Sequence, residues 1–218
     1  MPDVSADGPW SVLVPVKRLA VAKSRVALPP DARHTLALAM ACDTVRAALS
    51  SAAVTAVIVV TSDERAAAAL TTLGARTVDD EPEAGLNAAL HHGLSAAPTP
   101  SVVALSADLP ALRSQDLDDL LSRAIHHPAT VVSDLSGTGT TILTALDREH
   151  FRPAFGTESL AAHRNAGARD LSADAGQSLR LDVDTLEALR SAAELGLGPD
   201  TARIFAGIDG RNTSDERN

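Results

Sequence analysis

Aromatic residues are nearly absent: the chain has no tyrosine, one tryptophan and three phenylalanines in 218 residues. Platforms that stack single-stranded bases are built from such rings, so that mode of nucleic-acid binding is not expected. Positive charge is also scarce. Aspartate and glutamate number 28 against 19 lysines and arginines, a net charge of −9, whereas a nucleic-acid surface needs a basic stripe. Cys42 is the single cysteine, which excludes an internal disulfide, suits a reducing cytoplasm and is expected as a small buried hydrophobe. No apolar run approaches the roughly 20 residues that cross a bilayer. The opening MPDVSADGPW has no basic region followed by an apolar stretch, so no secretory signal is read there. These absences together lead us to expect a cytoplasmic protein with neither nucleic acid nor membrane as partner.

What is present suits one core. Hydrophobic residues make up 45% of the chain and mean hydropathy is +0.05, enough apolar surface for a single soluble domain. Short β-branched runs alternate with helical patterns. WSVLVPV, AVTAVIVVTS, ARTVDD, SVVALS, ATVVSD, TTILTAL and LRLDVD read as strands. Helices are expected from Asp31 to about Ser50, after Asp63, over LNAALHHGLSAA, after Ser114, around residues 158–166 and over TLEALRSAAELG. The expected fold is single-domain α/β, a mostly parallel sheet flanked by helices and Rossmann-like. Its expected span is residues 9–209, between disordered segments at 1–8 and 210–218.

Ligands of such sheets bind beyond the carboxyl ends of the strands. Lys17, Asp63, the loop 79–85, Asp108 and Asp182 all fall at those ends, so the polar residues gather on one rim. The first loop, residues 16–30, contains no glycine and therefore no dinucleotide-binding turn or P-loop. It holds four cations (Lys17, Arg18, Lys23, Arg25) and no carboxylate. A cationic island in an acidic protein points to a local anionic ligand, although a solvated surface loop has the same composition. Asp108 ends a strand in LSADLP, and a carboxylate at the edge of a core needs a partner, or else caps the next turn. His91-His92 and His126-His127 are read as surface residues, because adjacent helical positions do not converge on one ion.

LVPVKRLAVAKSRVA, VIVVTSD, EAGLNAAL, LSADLP, GTGTT, FGTESLAAH and LDVDT occur in this order. Over residues 10–208 the set resembles the nucleotidyltransferase superfamily that includes the molybdenum-cofactor guanylyltransferase and sugar-phosphate nucleotidyltransferases. LSADLP is shared across that superfamily. KSR, GTGTT and FGTES resemble more narrowly the guanylyltransferases of deazaflavin coenzyme F-420 biosynthesis, which join GTP to 2-phospho-L-lactate or phosphoenolpyruvate. The resemblance implies a nucleotidyltransferase fold and Mg²⁺ held by Asp108 and by a second carboxylate from LDVDT. Strand alternation would send Asp182 and Asp184 to the same side. Asp182 matches the family position better, and Asp184 has the alternative of capping the helix after it.

The same resemblance places the acceptor phosphate at Thr141, Gly156 and Ser159. Gly137 and Gly139 would serve equally in a hairpin turn, and Thr157 as an N-cap. Gly85 and Asn87 are expected near guanosine, Gly85 by allowing close approach and Asn87 through its amide, which has helix capping as its alternative. Lys17, Lys23 and Arg25 would neutralise the triphosphate. The implied partners are GTP and a small phosphorylated three-carbon acid, with hand-over of a reactive diphosphate product to the downstream F-420 transferase. Two other readings stand beside this one: transfer to 2-phospho-L-lactate or 3-phosphoglycerate, and a catalytically silent nucleotide-binding protein.

Overall fold

Seven strands form one sheet in the computed structural model, which describes residues 9–21, 23, 26–81 and 83–215. The chain runs through β1 (Trp10–Pro15), α1 (Pro30–Leu49), β2 (Val54–Val60), α2 (Glu64–Thr72), β3 (Arg76–Val78), α3 (Leu86–Leu94) and β4 (Ser101–Leu105). It continues with α4 (Ser114–Ala124), β5 (Ala129–Ser133), β6 (Thr140–Ala145), α5 (Ser159–Asn165), β7 (Arg169–Asp170), α6 (Leu186–Leu195) and α7 (Pro199–Asp215). The sheet order is β3-β2-β1-β4-β6-β5-β7, and only β6 runs antiparallel to its neighbours. The protein is a single-domain α/β fold with a mostly parallel sheet flanked by helices. The strand order reverses between β1 and β4. That reversal opens a crevice at their carboxyl ends.

Alternation explains how the strands disappear on both faces. Val12, Val14, Val57, Val59, Val103 and Leu105 pack with residues of α1, α2 and α4 on one side. Leu13, Ile58, Val102 and Ala104 pack with Leu90 of α3 and with Phe151 on the other. Each such side chain contributes roughly 1.5–3 kcal/mol when fully buried. Gly93 shows how closely α3 sits on the sheet: a Cβ built there would lie 2.5 Å from Val60 Cγ2. Cys42 is buried, as expected, and none of the described helices is long and apolar enough to cross a membrane.

Several local expectations are corrected. Pro29, with no side-chain cap, precedes α1, so Asp31 lies inside the helix; Arg113, and not Ser114, is the N-cap of α4. Glu158, and not Thr157, precedes α5. LRLDVD is not a strand. Leu181 and Val183 are buried as its alternation requires, but this stretch crosses beside the end of β4, where the Val183 amide donates to the Asp108 carbonyl at 3.0 Å. The sequence reading missed α7. Buried Asp43 accepts from the amides of Asp200 and Thr201 at 3.1 and 2.7 Å, satisfying its first turn, and Ile204, Phe205 and Ile208 pack toward α1 and α6. The helix extends to Asp215, into the stretch expected to be a disordered tail. The expected disordered N-terminus 1–8, residues 216–218 and Arg25 lie outside the described residues.

Candidate active site

A cavity of about 340 Å³ occupies the crevice between the ends of β1 and β4. Its lining is mixed: Leu86, Leu90 and Phe155 are among its apolar residues, and Lys17, Lys23, Asp108 and Asp184 supply charge. Such a lining suits a ligand with an apolar part and an anionic tail. Lys17 is exposed at the mouth. Arg18 beside it donates to Ser62 Oγ at 3.0 Å and pairs with Glu83, which ties the cationic loop to the loop before α3. Asp63 joins the two functions assigned to strand ends: its carboxylate caps α2 through the Ala66 amide (3.0 Å) and accepts from the Leu19 amide (2.9 Å).

The charged centre is Lys23. Its ammonium lies 2.5 Å from Asp108 Oδ2 and 2.8 Å from Asp184 Oδ1, with a side chain only 10% exposed. Burial draws its pKa down, but the two carboxylates outweigh burial and the net direction is up. Lys23 also adopts φ +54, a left-handed backbone that costs a non-glycine residue roughly 1–3 kcal/mol and persists where surrounding contacts impose it. Asp182 belongs to the same electrostatic group. Burial, followed by the charges of Asp108, Asp184 and Asp134, pushes its carboxyl up to about 6. The capping alternative for Asp184 fails, because Thr185 Oγ1 accepts from the Ala188 amide and begins α6. Asp184 thus joins the centre, a placement that the sequence offered only as the weaker choice.

The other expected positions divide. Gly85 has φ +97 and precedes pocket-lining Leu86 as the N-cap of α3, a conformation that favours glycine. The Asn87 amide is bonded to the backbone of the segment before α5. Its Nδ2 donates to the Phe155 carbonyl at 3.1 Å, and its Oδ1 accepts from the Phe155 amide at 2.8 Å. Gly156 follows with φ +140, and Ser159 opens α5 with 1% exposure. Thr141 is also 1% exposed, and its hydroxyl donates to the Leu179 carbonyl at 2.7 Å. Neighbouring Thr140 is the residue tied to α5, through His163 Nδ1 at 3.0 Å. Sequence reasoning missed His163, Asp134 and Phe155; their roles come from contacts between distant segments. His91, His92 and His126 are exposed and His127 is partly so, in keeping with surface positions.

Solved structures share this fold, with its reversal point between β1 and β4. A Desulfovibrio desulfuricans protein described as a nucleotide-diphospho-sugar transferase aligns with TM-score 0.69 and 15% identity, covering 93% of this chain and 96% of its own. A Mycobacterium tuberculosis protein solved in complex with manganese aligns with TM-score 0.55 and 20% identity, covering 86% and 99%. Sequence comparison is more specific. Residues 10–198 match the family described as guanylyl transferase CofC like, and the chain belongs to that family. The phosphoenolpyruvate guanylyltransferase of Streptomyces coelicolor is 50% identical over 203 residues, 90% of this chain and 96% of that protein. Its counterpart of the same name in Geodermatophilus obscurus is 51% identical over 205 residues, covering 91% and 94%.

Proposed function

We propose that this protein transfers GMP from GTP to phosphoenolpyruvate and releases pyrophosphate. The observation that carries the proposal is the cleft lined by apolar residues together with lysines and aspartates, in a chain whose family is guanylyl transferase. The names of its half-identical relatives support phosphoenolpyruvate as the acceptor. A phosphate oxygen of the acceptor forms a bond to the α-phosphorus of GTP. The bond from that phosphorus to the bridging oxygen breaks, and pyrophosphate leaves with the electron pair. No protein nucleophile is needed, because the attacking oxygen is already anionic. Positioning and charge stabilisation supply the rate.

Mg²⁺ is usually held by one or two carboxylates together with substrate phosphates. The donor set fits a cation: Asp108 and Asp184 already gather about the Lys23 ammonium, and Asp182 is short of positive charge. In this reading Asp108 and Asp182, with Asp184 beside them, would hold the ion, which would supply charge neutralisation for the phosphorylated substrates. Lys17, Lys23 and Arg25 bind the triphosphate. Gly85 permits guanosine to approach, and Thr141, Gly156 and Ser159 serve the acceptor phosphate. The enzyme works in the cytoplasm, and its reactive diphosphate product is handed to the next F-420 transferase.

The test is product formation from GTP and Mg²⁺ with equal concentrations of phosphoenolpyruvate, 2-phospho-L-lactate and 3-phosphoglycerate. We expect phosphoenolpyruvate to be consumed first. A preference for either other acid refutes the acceptor and leaves guanylyl transfer standing. Absence of pyrophosphate release with all three refutes the transfer.

A further inference from the structure

Residues 151–158 form no helix or strand, yet they supply Phe155 to the cavity wall. A segment of this kind is ordinarily the mobile part of a site. Here side chains from two helices occupy its backbone groups. Asn87 of α3 pairs with both the amide and the carbonyl of Phe155, as a neighbouring strand would. From the opposite side in sequence, the Ala154 amide donates to His163 Nε2 of α5 at 2.9 Å.

His163 is completely buried and works at both ring nitrogens. A backbone amide can only donate, so Nε2 carries no hydrogen and the proton of the neutral ring is on Nδ1. Nδ1 then donates to Thr140 Oγ1 at 3.0 Å. The ring also meets Phe155 edge-on, with centroids 5.1 Å apart and planes at 72°. Burial pushes the imidazole down to about 4, against an opposing hydrogen bond with the Ser159 backbone, so the ring stays neutral at working pH. One side chain therefore joins the start of β6, the loop before α5 and α5 itself.

We propose that His163, together with Asn87, is a positioning residue that holds residues 153–156 as a rigid wall and so sets where the phosphorylated acid lies relative to GTP. The proposal rests on the reading that Gly156 and Ser159 face the acceptor. It gives the buried imidazole no part in proton transfer: hydrogen bonds within the protein occupy both ring nitrogens and leave neither free to reach a substrate. Its influence falls mainly on the acceptor because the segment it pins runs directly into Gly156; the lysines and the proposed metal carboxylates lie on other loops, and the remaining apolar lining, Leu86 and Leu90, stands on α3 and does not depend on the imidazole.

The experiment compares His163→Leu, His163→Gln and Asn87→Ala with the wild type. Loss of one or two hydrogen bonds to the segment should raise KM for phosphoenolpyruvate by roughly tenfold or more in His163→Leu. KM for GTP should stay within about threefold, as expected for an effect confined to one substrate. Glutamine has an oxygen for the Ala154 amide and an N–H for Thr140, so His163→Gln should recover most of the loss. Asn87→Ala, which leaves the imidazole intact, should show the same split between substrates. Equal changes in both KM values, with glutamine no better than leucine, overturn the proposal in favour of a general structural role. Amide hydrogen exchange gives a readout independent of the acceptor's identity. Exchange in residues 151–158 should quicken in both loss variants while the sheet stays protected, and unchanged exchange there overturns the proposal. If the wild type prefers another acid, the acceptor reading fails and the KM split is measured with that acid. If it turns over none, exchange alone decides.

Discussion

Asp182 sits where burial and three other carboxylates oppose its charge, which costs folding stability, whereas the proposed function gives the same charge a use in catalysis. Its carboxyl is raised from 3.8 to about 6, so between those values the folded protein keeps a proton that the unfolded chain has released. Stability attributable to this group therefore falls as pH rises through that window and stays low above it. Asp182→Asn removes the charge. At pH 7.5 the variant should gain about 1 kcal/mol, a figure reduced for partial solvation, and melt roughly 2–4 °C higher. At pH 4 the two proteins should melt together. Guanylyl transfer by the variant should fall by at least about 100-fold, as for the loss of one electrostatic stabiliser. Thermal melts across pH 4–8 check the first part and turnover the second. An equal melting difference at both ends of the range would remove Asp182 from the charged cluster.

At the scale of elements, α3 couples the sheet to the pocket. Gly93 faces Val60 so closely that an added methyl has no room, while Leu86 and Leu90 of the same helix line the cavity. Gly93→Ala should gain roughly 0.5–1 kcal/mol in helix propensity but lose about 1–3 kcal/mol to overpacking, for a net loss. Its melting temperature should fall by several degrees and its KM for GTP should rise as α3 lifts from the sheet. Gly207 in α7 is the control, since a Cβ there meets nothing within 4 Å. Gly207→Ala should melt slightly higher with unchanged kinetics. If both variants are stabilised, α3 has slack that its contact with Val60 denies.

For the whole molecule, a net charge of −9 repels two anionic substrates, so in the proposed function the local cations and a divalent ion would be decisive. In the proposed reading, GTP alone would meet the charges of Asp108, Asp182 and Asp184 near its phosphates. GTP with Mg²⁺ should therefore raise the melting temperature by more than the separate shifts added together. A ligand at 100 times its Kd stabilises by about 2.7 kcal/mol. For a chain of this size that corresponds to roughly 5–10 °C. Differential scanning fluorimetry with each component and with both measures it. Equal shifts with GTP alone and with GTP plus Mg²⁺ would remove the ion from nucleotide binding.

Local patterns determined much by themselves. The strand runs from β1 to β6 were legible because β-branched alternation is a property of adjacent residues, and the parallel rim followed from strands alternating with helices. Asp108 stood out because an apolar run ending on a carboxylate is anomalous without any fold. Other features belong to the tertiary structure alone. The Lys23 ammonium meets Asp108 and Asp184 across separations of 85 and 161 residues, and no short window contains that information. LDVDT had a strand's alternation, but the sheet had no edge for it there, and its burial came from crossing beside β4. Asn87 offered an amide suited to a base, and the fold turned it to the backbone of Phe155. A polar side chain can satisfy a ligand or the protein itself, and which of the two it does depends on what packing brings within 3 Å.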